Sequence, residues 1–146
     1  MARLKRRLPV IGLMVVCLGA AYAVAQNLPA PTTIPESIGD LTTAVQAEVR
    51  AADGKAVLAG PFGEAVLDGR ETERTARLAA TAGGTATGTA EIELVTRDGK
   101  VERELELDAE GLAPNTSYTF VVDQATAATF TTDGKGSAEL ELKDVR

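Results

Sequence analysis

Residues 110–123 read Glu110-Gly111-Leu112-Ala113-Pro114-Asn115-Thr116-Ser117-Tyr118-Thr119-Phe120-Val121-Val122-Asp123, a turn that leads into a strand. Apolar and polar side chains alternate from Tyr118 onward, which predicts a strand with Tyr118, Phe120 and Val122 on one buried face. Before it, the glycine can adopt a positive φ and the proline fixes a turn, so the chain is expected to pass here between layers of sheet. The stretch therefore predicts an all-β fold.

The spacing Leu112-x-Pro114-x-Thr116-x-Tyr118 resembles the tyrosine corner of fibronectin type III and immunoglobulin-like β-sandwiches. In those families the tyrosine hydroxyl hydrogen-bonds to backbone a few residues upstream, and the resemblance implies the same for Tyr118. The chain departs from them because it has no Trp and no pair of cysteines for an inter-sheet disulfide. The resemblance implies an architecture, a small antiparallel β-sandwich, and no particular function.

The turn Asp53-Gly54 predicts a hairpin between a strand that begins at Ala44 and residues 55–62. Its register implies two cross-strand pairs: Val49 with Leu58, and Val45 with Phe62. A short helix over residues 38–49 is the alternative, because apolar side chains also recur there at a spacing of four.

The turn Asp98-Gly99 predicts a second hairpin, between residues 89–96 and 101–109. Its register pairs mostly apolar residues on the inner face and like charges on the outer face: Leu94 with Arg103, Ile92 with Leu105, Ala90 with Leu107, Glu93 with Glu104, and Glu91 with Glu106. Directly opposed like charges cost up to roughly 1 kcal/mol per pair. Water, a neighbouring Lys or Arg, or a cation must therefore screen the outer face.

The sequence Asp133-Gly134-Lys135-Gly136 predicts a third hairpin, which would pair Phe130 with Ala138 and Ala128 with Leu140. The expected fold is thus a small antiparallel β-sandwich of seven or eight short strands. Its predicted core consists of Val45, Val49, Leu58, Phe62, Leu78, Ile92, Leu94, Leu105, Leu107, Leu112, Tyr118, Phe120, Val122, Phe130, Leu140 and Leu142.

The N-terminal residues have the three parts of a secretory signal peptide. Basic residues are concentrated in positions 1–7, residues 8–20 are almost wholly apolar, and small-x-small sites end at Ala23 and Ala25. The apolar run is shorter than the ~20 residues of a spanning helix, so cleavage between Ala25 and Gln26 is expected, with a retained anchor as the alternative. The predicted parts are a signal peptide helix over residues 1–25, a Pro-rich flexible linker over 26–43 and a β-sandwich domain over 44–146.

Cleavage would leave a secreted or periplasmic chain with no His and no Cys, and with 11 basic against 21 acidic residues, a net charge of −10. Nucleic acid and anionic lipid are disfavoured partners, because both bind through Lys and Arg. Thiol chemistry and Ser-His-Asp triads are excluded. A hydrolase with paired carboxylates would need two acids in a cleft, and the single Tyr and three Phe of the mature chain offer little for stacking a sugar.

The outer-face carboxylates Glu91, Glu93, Glu104 and Glu106 are the candidate ligands for a hard cation such as Ca²⁺ or Mg²⁺. Four further acids complete the stripe: Glu102, Asp108, Glu139 and Glu141. We expect a non-catalytic exported binding or structural accessory module of the cell envelope or extracellular space, without a cofactor, whose partner is a protein or envelope component. Weak divalent-cation binding by the acidic strand face is the alternative.

Overall fold

A computed structural model describes residues 33–146 of the chain, and they form an all-β antiparallel sheet with one short 3₁₀ helix, Leu41–Thr43. The strands are, in chain order, β1 (Gln46–Arg50), β2 (Ala56–Pro61), β3 (Val66–Asp68), β4 (Glu71–Ala80), β5 (Thr87–Arg97), β6 (Lys100–Glu110), β7 (Ser117–Val122), β8 (Ala125–Thr131) and β9 (Ala138–Val145). In this part of the chain no helix has the length and apolar character needed to cross a membrane. The predicted signal peptide and its cleavage site lie outside the described residues.

The strands hydrogen-bond in the order β8-β7-β1-β2-β4-β5-β6-β9, and the short β3 pairs with β4 beside this path. The sheet curls into a sandwich-like, nearly barrel-shaped fold. β8 and β9 are its two ends, and the loop of residues 132–137 joins them. The apolar inner faces of the strands form one core cluster.

The β5–β6 hairpin has the predicted register throughout, from Arg97 opposite Lys100 to Ala90 opposite Leu107. Asp98 and Gly99 both have positive φ, 51° and 78°, as a two-residue hairpin turn requires. Because successive side chains of a strand point to opposite faces, this register buries the leucines and isoleucine and turns the glutamates outward.

The first hairpin is also confirmed at Val49 opposite Leu58, but the prediction that Val45 is a core residue is wrong. Its side chain is 67% exposed, although its carbonyl accepts a hydrogen bond from the Phe62 amide at 2.9 Å. The chain leaves the 3₁₀ helix at Ala44, which is buried instead. The alternation of the strand therefore begins only at β1.

The predicted pairing of Phe130 with Ala138 and of Ala128 with Leu140 is wrong. β8 pairs with β7, which places Phe130 opposite Tyr118 with their ring centroids 5.9 Å apart. β9 pairs with β6, which places leucines opposite leucines. The physical reason lies in the loop between them: the Leu112 amide donates to the Gly136 carbonyl at 3.0 Å and the Thr132 amide donates to the Thr116 carbonyl at 3.0 Å. The loop thus packs against the turn before β7 and does not close a hairpin.

That turn contains the contact expected of a tyrosine corner. The buried Tyr118 hydroxyl accepts a hydrogen bond from the backbone amide of Ala113, five residues upstream, at 3.1 Å. Thr132, also buried, adds a second tie: its hydroxyl donates to the Ala113 carbonyl at 2.7 Å and accepts from the Thr116 amide at 3.0 Å. Together these bonds fix the entry to β7, the strand from which the all-β prediction started.

Residues 33–45, which we call the N-terminal strap, contribute to the core. Most of this strap was predicted as a flexible linker, yet four of its apolar side chains are at most 2% exposed: Ile34, Ile38, Leu41 and Ala44. The alternative helix over residues 38–49 does not form, and only the 3₁₀ turn is present, capped by the Asp40 carboxylate, which accepts from the Thr42 amide at 2.9 Å. Ordering the strap costs conformational entropy, which is the reason that most linkers stay flexible. Burial of these aliphatic side chains offsets that cost.

Two arginines of the sheet hold the strap in place. Arg103 on β6 donates to the Gly39 carbonyl at 3.2 Å, and Arg74 on β4 donates to the Ala44 carbonyl at 2.7 Å. At its end, the Val45 amide donates to the Asp123 carboxylate at 2.9 Å, in the turn between β7 and β8. The strap therefore links strands that are far apart in the sheet order.

Candidate functional site

The outward-facing acids of four neighbouring strands lie on one continuous surface, which we call the acidic face. In β5, β6 and β9 the acids occupy alternate positions and the mostly apolar inner residues occupy the others, and in β4 Glu71 and Glu73 lie on the same outer side. Burial of the apolar set fixes the register, and the register brings the acids together. The acidic face comprises Glu71 and Glu73 from β4, Glu91 and Glu93 from β5, Glu102, Glu104, Glu106 and Asp108 from β6, and Glu139 and Glu141 from β9.

Two of these acids have carboxylates directly opposite on both neighbouring strands. Glu93 lies between Glu73 of β4 and Glu104 of β6. Glu106 lies between Glu91 of β5 and Glu141 of β9. The predicted pairs of glutamates on the β5–β6 hairpin are confirmed. The sequence of this hairpin does not predict that the face extends onto β4.

Lys143 on β9 is the first cation that balances this charge. Its ammonium lies 2.9 Å from a Glu104 carboxylate oxygen and also contacts Glu141. These two contacts raise the pKa of Lys143, with the bond to Glu141 as the larger cause, so its ammonium remains charged. The second cation is Arg97, whose guanidinium lies 3.5 Å from Glu102 at the exposed end of the hairpin.

Glu104, Glu106 and Glu141 form the tightest group on the acidic face, with one oxygen of each within 4.8 Å of the others. The hydrogen bond with Glu104 raises the pKa of Glu106 to about 7, and burial and the charges of Glu104, Glu141 and Glu91 act in the same direction. Burial also raises the pKa of Glu104, but hydrogen bonds with Lys143 and Glu106 outweigh it, so that pKa is lowered overall. The raised pKa of Glu106 favours its protonated form near neutral pH, which relieves the repulsion among these carboxylates.

Glu93 has no ion pair with any residue in the part of the chain that the structure describes. Burial raises its pKa, and the charges of Glu71 and Glu104 add to the effect. Beside it lies a groove of about 310 Å³, whose acidic lining includes Glu102 and whose apolar lining is Val95 and Val145. Both valines are directly opposite Glu102, one on each neighbouring strand, and Val145 is 60% exposed.

Of the four candidate ligands predicted from the sequence, the structure places Glu104 and Glu106 in the tight group with Glu141, while Glu91 and Glu93 lie outside it. Oxygen ligands at this spacing suit a divalent cation, which would have to displace the ammonium of Lys143 and the proton of Glu106. The surface therefore offers oxygen ligands for a cation and an acid whose pKa lies near neutral. Comparison of the chain with known protein families, curated proteins and solved structures finds no match.

Proposed function

We propose that this chain is a non-catalytic exported module of the cell envelope or extracellular space that binds a partner through its acidic face. Export is supported by the signal-peptide pattern of residues 1–25. The hydrogen bond of Tyr118 to the Ala113 amide supports an immunoglobulin-like or fibronectin type III-like sandwich, an architecture used widely for binding.

The observation that carries the proposal is the position of Glu93. Its carboxylate is partly buried, it lies between two opposed carboxylates, and it has no ion pair among residues 33–146. Opposed like charges destabilise a sheet by a few tenths to ~1 kcal/mol each. A cationic partner would neutralise this repulsion on binding. The relief of the repulsion would then add to the free energy of binding.

A pull-down from the native envelope and culture fluid tests the proposal. The bait is the exported chain, compared with a Glu93→Lys, Glu104→Lys variant that reverses charge at the centre of the acidic face. The matched control is Glu36→Lys, Glu64→Lys, which changes net charge equally at exposed positions outside the face. A partner bound by the wild type and the control, and lost from the first variant, supports the proposal. A partner retained by both variants would indicate that the binding surface lies in the loops or at the sheet edges.

Weak divalent-cation binding is a second candidate function, and the spacing of Glu104, Glu106 and Glu141 favours it. A cation that binds only the folded state adds RT ln(1 + [L]/Kd), about 1.4 kcal/mol at ten times Kd. Thermal melting during a calcium titration should then show a rise in Tm that Glu141→Gln abolishes. An unchanged Tm at millimolar calcium would remove this candidate.

A further inference from the structure

We propose that the groove between Val95 and Val145 receives the side chain of an arginine or lysine from an extended basic segment of a partner protein. This inference rests on the proposed binding function and specifies the chemistry of the partner. It concerns the groove on the outer surface of β5, β6 and β9.

Charge complementarity is the first argument. The groove is lined by three glutamates, Glu93, Glu102 and Glu104, and also by Lys143 and the buried ion pair of Arg103 with Asp144. Two of the glutamates are already paired, Glu104 with Lys143 and Glu102 with Arg97. Glu93 is left without an ion pair among the described residues. The bridge from Lys143 to two carboxylates also shows that the face accommodates a long cationic side chain lying on it.

The shape and lining of the groove are the second argument. Arg and Lys carry aliphatic stems that pack on apolar surface while the charged head stays near water and anions. Val95 and Val145 provide apolar walls on either side of Glu102. A metal ion would gain nothing from these walls, whereas the stem of a basic side chain would cover them. Arginine fits best, because its guanidinium is weakly hydrated and forms bidentate bonds with carboxylates.

The spacing of the acids along β6 indicates an extended partner. Glu102, Glu104, Glu106 and Asp108 follow one another at every second residue. In a strand, alternate residues lie roughly 6.6–6.8 Å apart. A partner segment in extended conformation that carries a cation at every second residue would therefore match the acids, with one cation in the groove and the next near Glu106.

The test uses the isotope-labelled exported chain and a blocked six-residue peptide of alternating threonine and arginine, titrated by NMR at about 0.15 M salt. A peptide with citrulline in place of arginine has the same shape without the charge. We expect saturable shifts at the amides around Glu93, Val95 and Val145 with the arginine peptide and none with the citrulline peptide. Glu93→Gln should weaken binding about tenfold, a change of ~1.4 kcal/mol.

Two controls separate the groove from general attraction to an acidic protein. Glu64→Gln removes the same charge from an exposed loop outside the face and should change the affinity less than twofold. Val145→Thr alters only the apolar wall and should weaken binding severalfold. Equal losses in both glutamine variants, or an unchanged affinity in Val145→Thr, would overturn the proposal, because net charge alone would then explain the binding.

Calcium and spermidine are added as competitors at constant ionic strength. Displacement of the peptide by equimolar calcium would identify the face as a metal site and overturn the groove proposal. The pull-down result is independent of this outcome. A peptide that binds as expected, together with a native partner retained by the Glu93→Lys, Glu104→Lys variant, would refute the proposed function and leave the groove chemistry intact.

Discussion

Replacement of Arg103 by methionine removes a buried cation from the inner face of β6. The Arg103 side chain is 6% exposed, and its guanidinium binds both oxygens of Asp144, which is itself 13% exposed. The same guanidinium donates to the Gly39 carbonyl of the N-terminal strap. Arg103→Met therefore leaves a largely buried carboxylate with only the longer contact to the half-exposed Arg146, at 3.4 Å, and a strap carbonyl without its donor.

The magnitude follows from the cost of an unpaired buried charge. Removal of one partner from a buried ion pair destabilises proteins by ~3–5 kcal/mol. For a domain of this size, 1 kcal/mol corresponds to roughly 4 °C in Tm, so we expect a fall of ~12–20 °C. The double variant Arg103→Met, Asp144→Leu removes both charges and should recover most of the loss, apart from ~1 kcal/mol for the hydrogen bond to the strap.

Urea unfolding followed by far-UV circular dichroism is the appropriate assay, because the chain has no Trp to report on unfolding by fluorescence. Arg77→Met is the matched control: Arg77 is exposed on the outer face of β4, and its loss should change the free energy of unfolding by no more than ~0.5 kcal/mol. A loss below ~1 kcal/mol in Arg103→Met, or a double variant no more stable than the single one, would refute the reasoning.

Three further predictions concern stability and use the same unfolding assay. Ile38→Ala should lower the free energy of unfolding by ~2–4 kcal/mol because this strap side chain is fully buried, whereas Val45→Ala should lower it by less than ~0.5 kcal/mol. Equal effects would show that the strap does not belong to the core. Gly136→Ala should cost more than ~2 kcal/mol because the residue has a φ of +84° and a Cβ there would overlap the Leu112 carbonyl, while Gly134→Ala should be nearly neutral. The raised pKa of Glu106, about 7, means that the folded protein binds this proton more tightly than the unfolded chain. The contribution of Glu106 to stability is therefore fully present below pH 4.5 and is lost, by about 1 kcal/mol after allowance for solvent screening, as the pH rises through 7; Glu106→Gln should remove this part of the pH dependence, and a pH profile identical to that of the wild type would contradict the raised pKa.

The sequence predicts those parts of the fold whose signals are local. Both signals for the β5–β6 hairpin, the Asp98-Gly99 turn and the alternation on either side, lie within about twenty residues and agree with each other. Asp123-Gln124 predicts a turn after the strand of Tyr118, but without a glycine it does not predict the β7–β8 hairpin that the turn closes. Both residues nevertheless adopt positive φ, 46° and 74°. The Asp123 carboxylate binds the amides at the start of β1 and thereby holds this turn in place, a contact 77 to 78 residues apart in sequence.

The strap and the position of β9 depend on contacts that a single segment does not reveal. The spacing of Ile34, Ile38 and Leu41 was a usable signal, but it lay among proline and polar residues typical of a linker. The turn at residues 133–136 is compatible with pairing of β9 with either β8, as predicted, or β6, as observed. The apolar pairing of Leu142 with Leu105 decides between them.

The same pairing explains why only part of the candidate site could be predicted. Glu91, Glu93, Glu104 and Glu106 belong to the local hairpin, so their juxtaposition follows from its register. The tight group with Glu141, and the groove wall formed by Val145, exist only because β9 lies beside β6. The sequence does include Glu139 and Glu141 in the acidic stripe, since Leu140-Glu141-Leu142 has the leucine–glutamate alternation of β6, but it does not predict that β9 pairs with β6.

The alternation that buries the leucines also determines the charge of the acidic face. A slip of one residue would relieve the opposed carboxylates but would turn every inner leucine to solvent, at roughly 1.5–3 kcal/mol for each side chain. The opposed acids cost at most ~1 kcal/mol per pair, so the register withstands their repulsion. Lys143 and the proton of Glu106 then reduce it further without any change in the backbone. A cation bound as proposed would act in the same way and would stabilise this face while the fold stays the same.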